Sequence, residues 1–435
     1  MNANRWIVPG LRTPFARVDS ALRKLDAVAL SVPVLRAMAA QLPAGDRPDF
    51  VVWGTVAPNL GWSNIAREAW IEAKLDPSTP AFSTVLACAT SMVAAFEAAG
   101  MLGEARSLAL CGGVESMSRV QIGLNQGLSD WIRRMGQARS FGERIDRLGE
   151  IRARDVRLHV PSIANRATGK SMGEHCEEMA KQWNIARADQ DRIALQSHAR
   201  AVTAMAQGFF DDLVVPVEAS AGGSDGGRVA RDAIPRADSS AEKLASLKPA
   251  FDRTSGRGTI TAGNASPLTD GAAGVWVADD AGLERLPASR ARARLVDWEL
   301  AAVDLFHEGL LMAPAYAIPR LLARRGLTLE AIDLWEIHEA FAAQVLCNVA
   351  ALESEDFLRE KVRVDARLGR FPWERLNPHG GSIAIGHPFG ATGARILSQA
   401  VKELAALGAG KRAVVSICAD GGLGAVALLE SREAA

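Results

Sequence analysis

Twice along this chain a buried-type strand, an Ala-rich helix, a second strand and a glycine pair follow one another, each time with a reactive side chain ahead of the helix. In the first half, 82–85 reads as a strand that runs into Cys88, 92–100 as a helix, and 107–111 as a strand stopping at Gly112-Gly113. In the second, 334–337 is a strand ending at His338, and 341–352 is helical. There His387 stands before a helix over 392–407, and a strand over 414–417 ends at Cys418 and Gly421-Gly422. Alternating strands and helices imply crossovers, which predict an α/β fold with a mainly parallel sheet. Because the element order repeats, two similar α/β units facing each other are expected. The other segments agree: a strand over 6–8 broken by Pro9-Gly10, a helix over 25–42 kinked or broken at Pro33, a strand over 50–56 and a helix over 65–75.

The middle of the chain breaks this pattern. From about 119 to 248 it is polar and irregular and reads as an insertion between strands of the first half. The run GGSDGG at 222–227 is a flexible-loop signal, and 181–207 reads as a surface helix or helix pair. Leu124, Leu128, Ile132 and Met135 fall at spacings 4, 4 and 3, one face of a helix, with Trp131 and Phe141 adding bulk. Eight Arg (133, 134, 139, 144, 147, 152, 154, 157) stand against four acids (143, 146, 150, 155), a local net charge of 8 − 4 = +4. Such a stretch suits a membrane surface or an acidic partner, and equally an amphipathic helix packed on its own body with a solvated basic face. The expected domains are 1–118 with 255–283 as the first half, 119–254 as the inserted loop domain, and 284–435 as the second half.

Charge and cysteine usage exclude several function classes. Lys+Arg and Asp+Glu are 50 each, so the net charge is zero and no whole-chain nucleic-acid binder is expected. The five cysteines (88, 111, 176, 347, 418) are odd in number and form no C-x-x-C pair, which disfavours a disulfide framework or a structural zinc. No signal-peptide core follows the first residues, and no apolar run approaches the roughly 20 residues of a spanning helix. A reduced, cytoplasmic setting is the expectation.

Four side chains can carry chemistry. Cys88, ahead of a helix, meets N–H groups that favour a thiolate nucleophile, although a free cysteine is often only core. His387 lies among Gly380, Gly381, Gly386, Gly390 and Gly393 with Pro388 beside it, an unusual backbone to build around one imidazole. His338 begins His-Glu-Ala-Phe-Ala, where Ala342 stands in place of a second metal-binding His, so a zinc peptidase is not expected. Cys418 precedes glycines whose free N–H groups suit an oxyanion site.

Taken together, Ala87-Cys88-Ala-Thr-Ser, His338-Glu-Ala-Phe-Ala, Gly386-His-Pro-Phe-Gly-Ala-Thr-Gly393 and Cys418-x-x-Gly-Gly resemble, in that order, the thiolase family. Arg12-Thr-Pro14, Gly113-Val-Glu-Ser-Met-Ser118, Ser171-Met-Gly-Glu174 and Thr261-Ala-Gly-Asn-Ala-Ser-Pro-Leu-Thr-Asp-Gly271 match as well, so the resemblance runs from about 6 to 428. It implies a layered αβαβα fold and thiolytic cleavage of a 3-ketoacyl-CoA by CoA. Cys88 is then the acylated nucleophile, His387 its base and Cys418 the acid. His338 and His387 would meet the enolate oxygen, and the backbone N–H groups of Cys88 and Asp420 the tetrahedral oxygen. Met172, Ser266, Asn264 and Phe341 resemble positions that bind the CoA arm. CoA is a substrate, and no metal or redox cofactor is implied.

His338 in place of the family's usual Asn, the segment 311–319 and the basic insertion are similar to the β subunit of the fatty-acid-oxidation trifunctional enzyme. That likeness implies β-oxidation, at least a homodimer, a hydratase/dehydrogenase α subunit as partner, and peripheral membrane contact. Asp420 departs from the usual Gly or Ala, and its carboxylate is expected to raise the pKa of Cys418. Met312-Ala313 departs from a usual Leu-Gly. Rival readings are a biosynthetic acetyl-CoA acetyltransferase, a ketoacyl synthase, which would not need Cys418, and a catalytically silent scaffold.

Overall fold

The computed structural model describes residues 4–161, 163–219, 227–288 and 291–432. The main elements in chain order are β1 (Trp6–Arg12), α1 (Ala27–Ala39), β2 (Phe50–Gly54), α2 (Ile65–Glu72), α3 (Thr90–Met101) and β3 (Leu108–Glu115). Then come α4 (Gln126–Gly136), α5 (Phe141–Leu148), α6 (Met172–Gln182), α7 (Arg187–Ala206), β4 (Thr269–Ala278) and β5 (Ala293–Ala302). The chain closes with α8 (Ala313–Arg325), β6 (Leu334–Ile337), α9 (Ala342–Leu352), α10 (Thr392–Leu407), β7 (Arg412–Ala419) and β8 (Leu423–Ser431). The chain divides into a body, up to Arg119 and from Asn165 onward, and a small unit, Val120–Ala164.

Within the body one sheet of ten strands runs β6-β7-β8-β5-β1-β4-β3-β2, with Ala81–Phe82 at the edge beside β2 and Ala16–Arg17 pairing β4. The order β2-β3-β4-β1 recurs as β6-β7-β8-β5 with the same senses: one parallel pair, then two antiparallel ones. The two quartets meet where β1 pairs β5, Trp6 opposite Arg294 and Ile7 opposite Ala293. The repeat anticipated from element order is thus a repeat of topology. The mainly parallel sheet is not found. Three pairs are parallel, β2 with β3, β2 with the edge strand Ala81–Phe82, and β6 with β7, and the other described neighbours in this sheet are antiparallel.

Helices sort into three layers. Phe96 of α3 and Leu397 of α10 share one core with Val275 and Val415 of the sheet, between the two halves. Leu30 of α1 and Trp70 of α2 cover the outer face of the first half over Trp53. Ile318 of α8 and Val349 of α9 cover that of the second over Trp335. Apolar burial on both faces, at about 25 cal/mol per Å² of area removed from water, dominates the assembly of these layers.

Several boundaries differ from the sequence expectation for local reasons. β1 continues through Pro9-Gly10: the register shifts between Pro9 and Arg12, and the Gly10 N–H leaves the ladder for Ser398 Oγ at 3.1 Å. β3 continues through Gly112-Gly113, where side chains are forbidden. A Cβ on Gly113 would lie 2.2 Å from the Gly390 carbonyl oxygen, so this glycine lets the His387 loop touch the strand end. α1 stays one helix despite Pro33, capped by the Asp26 carboxylate on Ala29 N. β8, next to Cys418, gave no separate sequence signal. The 181–207 segment holds the last two residues of α6 and then one long helix, α7, of which Ile193, Ala194, Ala201 and Ala204 are buried. Of the flexible-loop signal at 222–227, all but Gly227 lies outside the described residues.

The unit Val120–Ala164 has its own small architecture. Asn125 caps α4 and Ser140 caps α5, and Trp131 Nε1 donates to the Arg147 carbonyl at 2.8 Å. Leu124 does not join the α4 face as expected, because it sits in a two-residue strand paired with Leu158. No residue of α4 or α5 is buried, and Phe141 is 78% exposed.

Candidate active site

Cys88 lies two residues before α3, on a turn whose backbone is forced. Ala87 has φ +43°, a left-handed conformation that costs an L-residue roughly 1–2 kcal/mol. The turn is held by Ala89 N donating to the Leu86 carbonyl (2.9 Å), by the Thr90 hydroxyl on the Ala87 carbonyl (2.8 Å), and by Leu86 N on Thr90 Oγ1 (2.9 Å). The half-buried sulfur accepts from the backbone N–H of Asp420, and its own N–H also favours its charged form. The two main-chain donors expected at an oxyanion therefore converge on Cys88. The expected resting thiolate is not found: burial, then the Asp420 and Glu115 carboxylates, push the thiol up to about 12 against those N–H groups.

His387 stands five residues before α10, and a short turn at Phe389–Ala391 separates it from the helix start. Its backbone N donates to Thr269 Oγ1 at 3.1 Å, and its Nδ1 lies 2.7 Å from Thr392 Oγ1. The Thr392 hydroxyl donates to the Pro388 carbonyl at 3.3 Å, so its oxygen accepts from Nδ1–H and leaves Nε2 as a bare acceptor. Burial, then Arg395, bring the pKa of His387 down to about 3, so the ring is neutral. His338, fully buried at the end of β6, has its ring centroid 4.1 Å from that of His387. Nε2 of both rings is buried without a protein partner. Cys418 is buried on β7, its thiol pushed up first by burial and then by the nearby Cys88. Asp420 does not act on Cys418 as expected. Its carboxylate accepts from Asn165 Nδ2 (2.8 Å) and Gly421 N (2.6 Å), and its charge bears on Cys88 instead.

The segment around Ser266 threads between the two histidine loops. Ser266 N donates to the Ala340 carbonyl at 2.9 Å, Ala265 bridges to Phe341, and Leu268 bridges to His387. One thiol at a forced turn, a second thiol near it and converging N–H donors, with a pair of neutral imidazoles packed ring to ring, are groups of the kind that acyl transfer requires.

The comparisons agree with this constellation. The thiolase N-terminal domain model matches residues 6–281 and the thiolase C-terminal domain model residues 289–431. This chain belongs to the thiolase family. It is 37% identical over 432 residues to the 3-ketoacyl-CoA thiolase of Yersinia enterocolitica, covering 98% of this thiolase and 96% of that protein. Against the 3-ketoacyl-CoA thiolase of a Yersinia pestis strain the identity is 36%, with the same coverage. The crystal structure of the Bacillus anthracis acetyl-CoA acetyltransferase superposes with TM-score 0.77 at 31% identity, over 99% of this chain and 100% of that one. A thiolase of Ascaris suum in complex with coenzyme A gives 0.78 at 29% identity, over 98% and 100%.

The thiolase body places the expected CoA contacts unevenly. Ser266 and Met172 are half-buried, Met172 at the first position of α6 behind the Ser171–Glu174 capping box. Phe341 is buried edge-on to Phe251, ring centroids 6.0 Å apart. Asn264 is fully buried: its oxygen accepts from Thr261 N (2.8 Å), and its amide donates to Asp191 (2.9 Å) and the Thr259 carbonyl (3.2 Å). Sequence reasoning missed Thr392, Ser382, Arg395 and Asn165. The first three lie in or next to the glycine-rich His387 block already singled out, whereas nothing in the sequence tied Asn165 to Asp420. It also left open which cations line the cleft by Ser266. Arg17, His198 and Arg236 line a cavity with Ala265 and Pro267, and burial followed by Arg236 brings His198 down to about 4.

Proposed function

We propose that this thiolase is a 3-ketoacyl-CoA thiolase acting in fatty acid β-oxidation, with Cys88, His387, Cys418 and His338 as its catalytic residues. The observation that carries the reading is the convergence at Cys88 of two main-chain N–H donors and a second thiol, in a chain that also packs two neutral imidazoles, His338 and His387, against each other with both Nε2 atoms unpartnered. As the Cys88 sulfur attacks the C3 ketone, its proton passes to His387 Nε2. Because the free thiol holds its proton up to about 12 and His387 resists charge, that transfer belongs to the attack itself. The alkoxide at C3 meets the N–H groups of Cys88 and Asp420. The C2–C3 bond then breaks toward an acetyl-CoA enolate. Its oxygen meets His338 and the now protonated His387, and Cys418 gives C2 its proton. CoA next loses its thiol proton to Cys418, its sulfur attacks the acyl-Cys88 thioester, the Cys88–acyl bond breaks as the Cys88 sulfur takes its proton back from His387, and acyl-CoA leaves. CoA is thus a substrate, and each step is carried by these side chains. Met172, Ser266 and Phe341 would flank its pantetheine arm, with Arg17 and Arg236 available to phosphate.

A second reading, biosynthetic acetyl-CoA acetyltransferase, has the Bacillus anthracis structure in its favour. Rates on C4 and C16 3-ketoacyl-CoA separate the two, the degradative reading expecting turnover of the longer chain. Enzyme incubated with 3-ketoacyl-CoA without free CoA should carry an acyl group on Cys88 by mass spectrometry. Retention of rate by Cys88→Ala overturns the mechanism. For assembly we propose at least a homodimer. The sheet ends at the edge strand Ala81–Phe82, and Val85 beside it is 58% exposed. A hydratase/dehydrogenase subunit and peripheral membrane contact through the basic unit belong to the same reading. No helix among the described residues is long and apolar enough to cross a membrane, and the reading places the enzyme in the cytoplasm.

A further inference from the structure

His338 Nδ1 lies 2.8 Å from Ser382 Oγ, and the same oxygen lies 2.7 Å from Arg395 Nη2. All three groups are buried. A guanidinium carries only donors, so Ser382 accepts from Arg395. Among the described residues, the hydroxyl proton of Ser382 then has one remaining partner, the Nδ1 lone pair of His338. If Nδ1 carried the proton instead, Arg395 and His338 would both donate to one oxygen, and a buried O–H would be left idle. At Thr392 the polarity is reversed. That hydroxyl donates to the Pro388 carbonyl and accepts from His387 Nδ1.

We infer that Ser382, polarised by Arg395, fixes His338 in the tautomer with its proton on Nε2, so that two neighbouring imidazoles are held with opposite protonation. One Nε2 is a proton acceptor and the other a hydrogen-bond donor. Both are buried without protein partners, which leaves them open to a substrate atom. Ser382 and Arg395 are positioning residues for His338. Arg395 is itself steadied by Nη1 donating to Gln399 Oε1 at 3.1 Å, and the Gln399 amide donates to Glu336 and Glu403, both at 3.1 Å. Burial first, then His387 and Arg395, disfavour an imidazolium at His338, which leaves the neutral donor form as the working state. The consequence for the proposed reaction is that the enolate oxygen meets a ready N–H at His338 without waiting for a proton. This rests on the thiolase mechanism proposed above for its use, but not for the tautomer itself.

The tautomer is read directly by long-range 1H–15N correlation on the full-length enzyme labelled with 15N-histidine, His338 being assigned by the resonance lost in His338→Asn. The expected pattern is a protonated Nε2 and bare Nδ1 at His338, and the opposite at His387. A protonated Nδ1 at His338 overturns the inference whatever the enzyme turns over. Kinetics give the second arm, in 3-ketoacyl-CoA thiolysis. Ser382→Ala, which removes only the hydroxyl, should lower kcat by about tenfold with a smaller change in KM, as partial loss of an oxyanion donor does. In a His338→Asn background the same Ser382→Ala change should cost almost nothing, because an amide N–H has no tautomer to set. Equal losses in both backgrounds mean a structural role for Ser382 and refute the positioning role.

Discussion

Replacing Asp420 by Asn removes one charge from the edge of the site while leaving its scaffold in place. The Asn165 amide and Gly421 N both donate to one Asp420 side-chain oxygen, and an asparagine oxygen accepts from them equally well. The backbone N–H of residue 420 still points at the Cys88 sulfur. What disappears is the carboxylate that, after burial, most strongly opposes the thiolate. A single like charge acting on a half-buried group is worth on the order of 1 kcal/mol. Spread over the ionisation of a thiol, this is nearly one pH unit, since about 1.4 kcal/mol corresponds to one unit. The sign is fixed: removing a negative charge favours thiolate, so the ionisation curve of Cys88 moves to lower pH. The assay is the rate of iodoacetamide alkylation at Cys88, followed by mass spectrometry across a pH series for wild type and Asp420→Asn. At any pH below the thiol pKa the variant should be alkylated several-fold faster, approaching tenfold. An unchanged rate, or a slower one, refutes the electrostatic role of Asp420 and returns Cys88 reactivity to its turn and to His387 alone.

Other perturbations test other levels of the molecule. A Cβ on Gly393 would lie 2.3 Å from Met92 N, at the α3–α10 crossing, so Gly393→Ala should lower stability by about 1–3 kcal/mol in denaturant titration. Gly100→Ala, near the end of α3 with open space around it, should instead stabilise by about 0.5–1 kcal/mol. Light scattering should give at least a dimer, and a 46.2 kDa species at micromolar concentration speaks against the assembly. Binding of the intact enzyme to anionic vesicles should fall steeply with salt, at about 1 kcal/mol per cation, and fall further in Arg133→Glu/Arg134→Glu; salt-independent binding, or none, refutes membrane contact.

How much of this was legible beforehand follows from the range of the interactions involved. Cys88, His387 and Cys418 announced themselves because local backbone demands, a forced turn and glycines at close approaches, leave marks in neighbouring residues. Gly113 and Gly390 touch across 277 positions, yet each was already visible as a glycine beside a strand or a turn. Strand direction was not legible. Period and composition are the same for a strand returning through a helix and for one returning through a tight turn, so β8 and the antiparallel majority stayed hidden. The charge state of Cys88 was read with the wrong sign because a helix N-terminus is a sequence-local feature, whereas the Asp420 carboxylate and the burial that outweigh it arrive from 332 residues away. The histidine tautomers were out of reach for a further reason. Each depends on which way a hydroxyl points, and that is decided by its second partner: a guanidinium for Ser382 and a carbonyl for Thr392. Two chemically alike neighbours, Ser-His and Thr-His, therefore give opposite proton positions, and only the third group in each chain tells them apart.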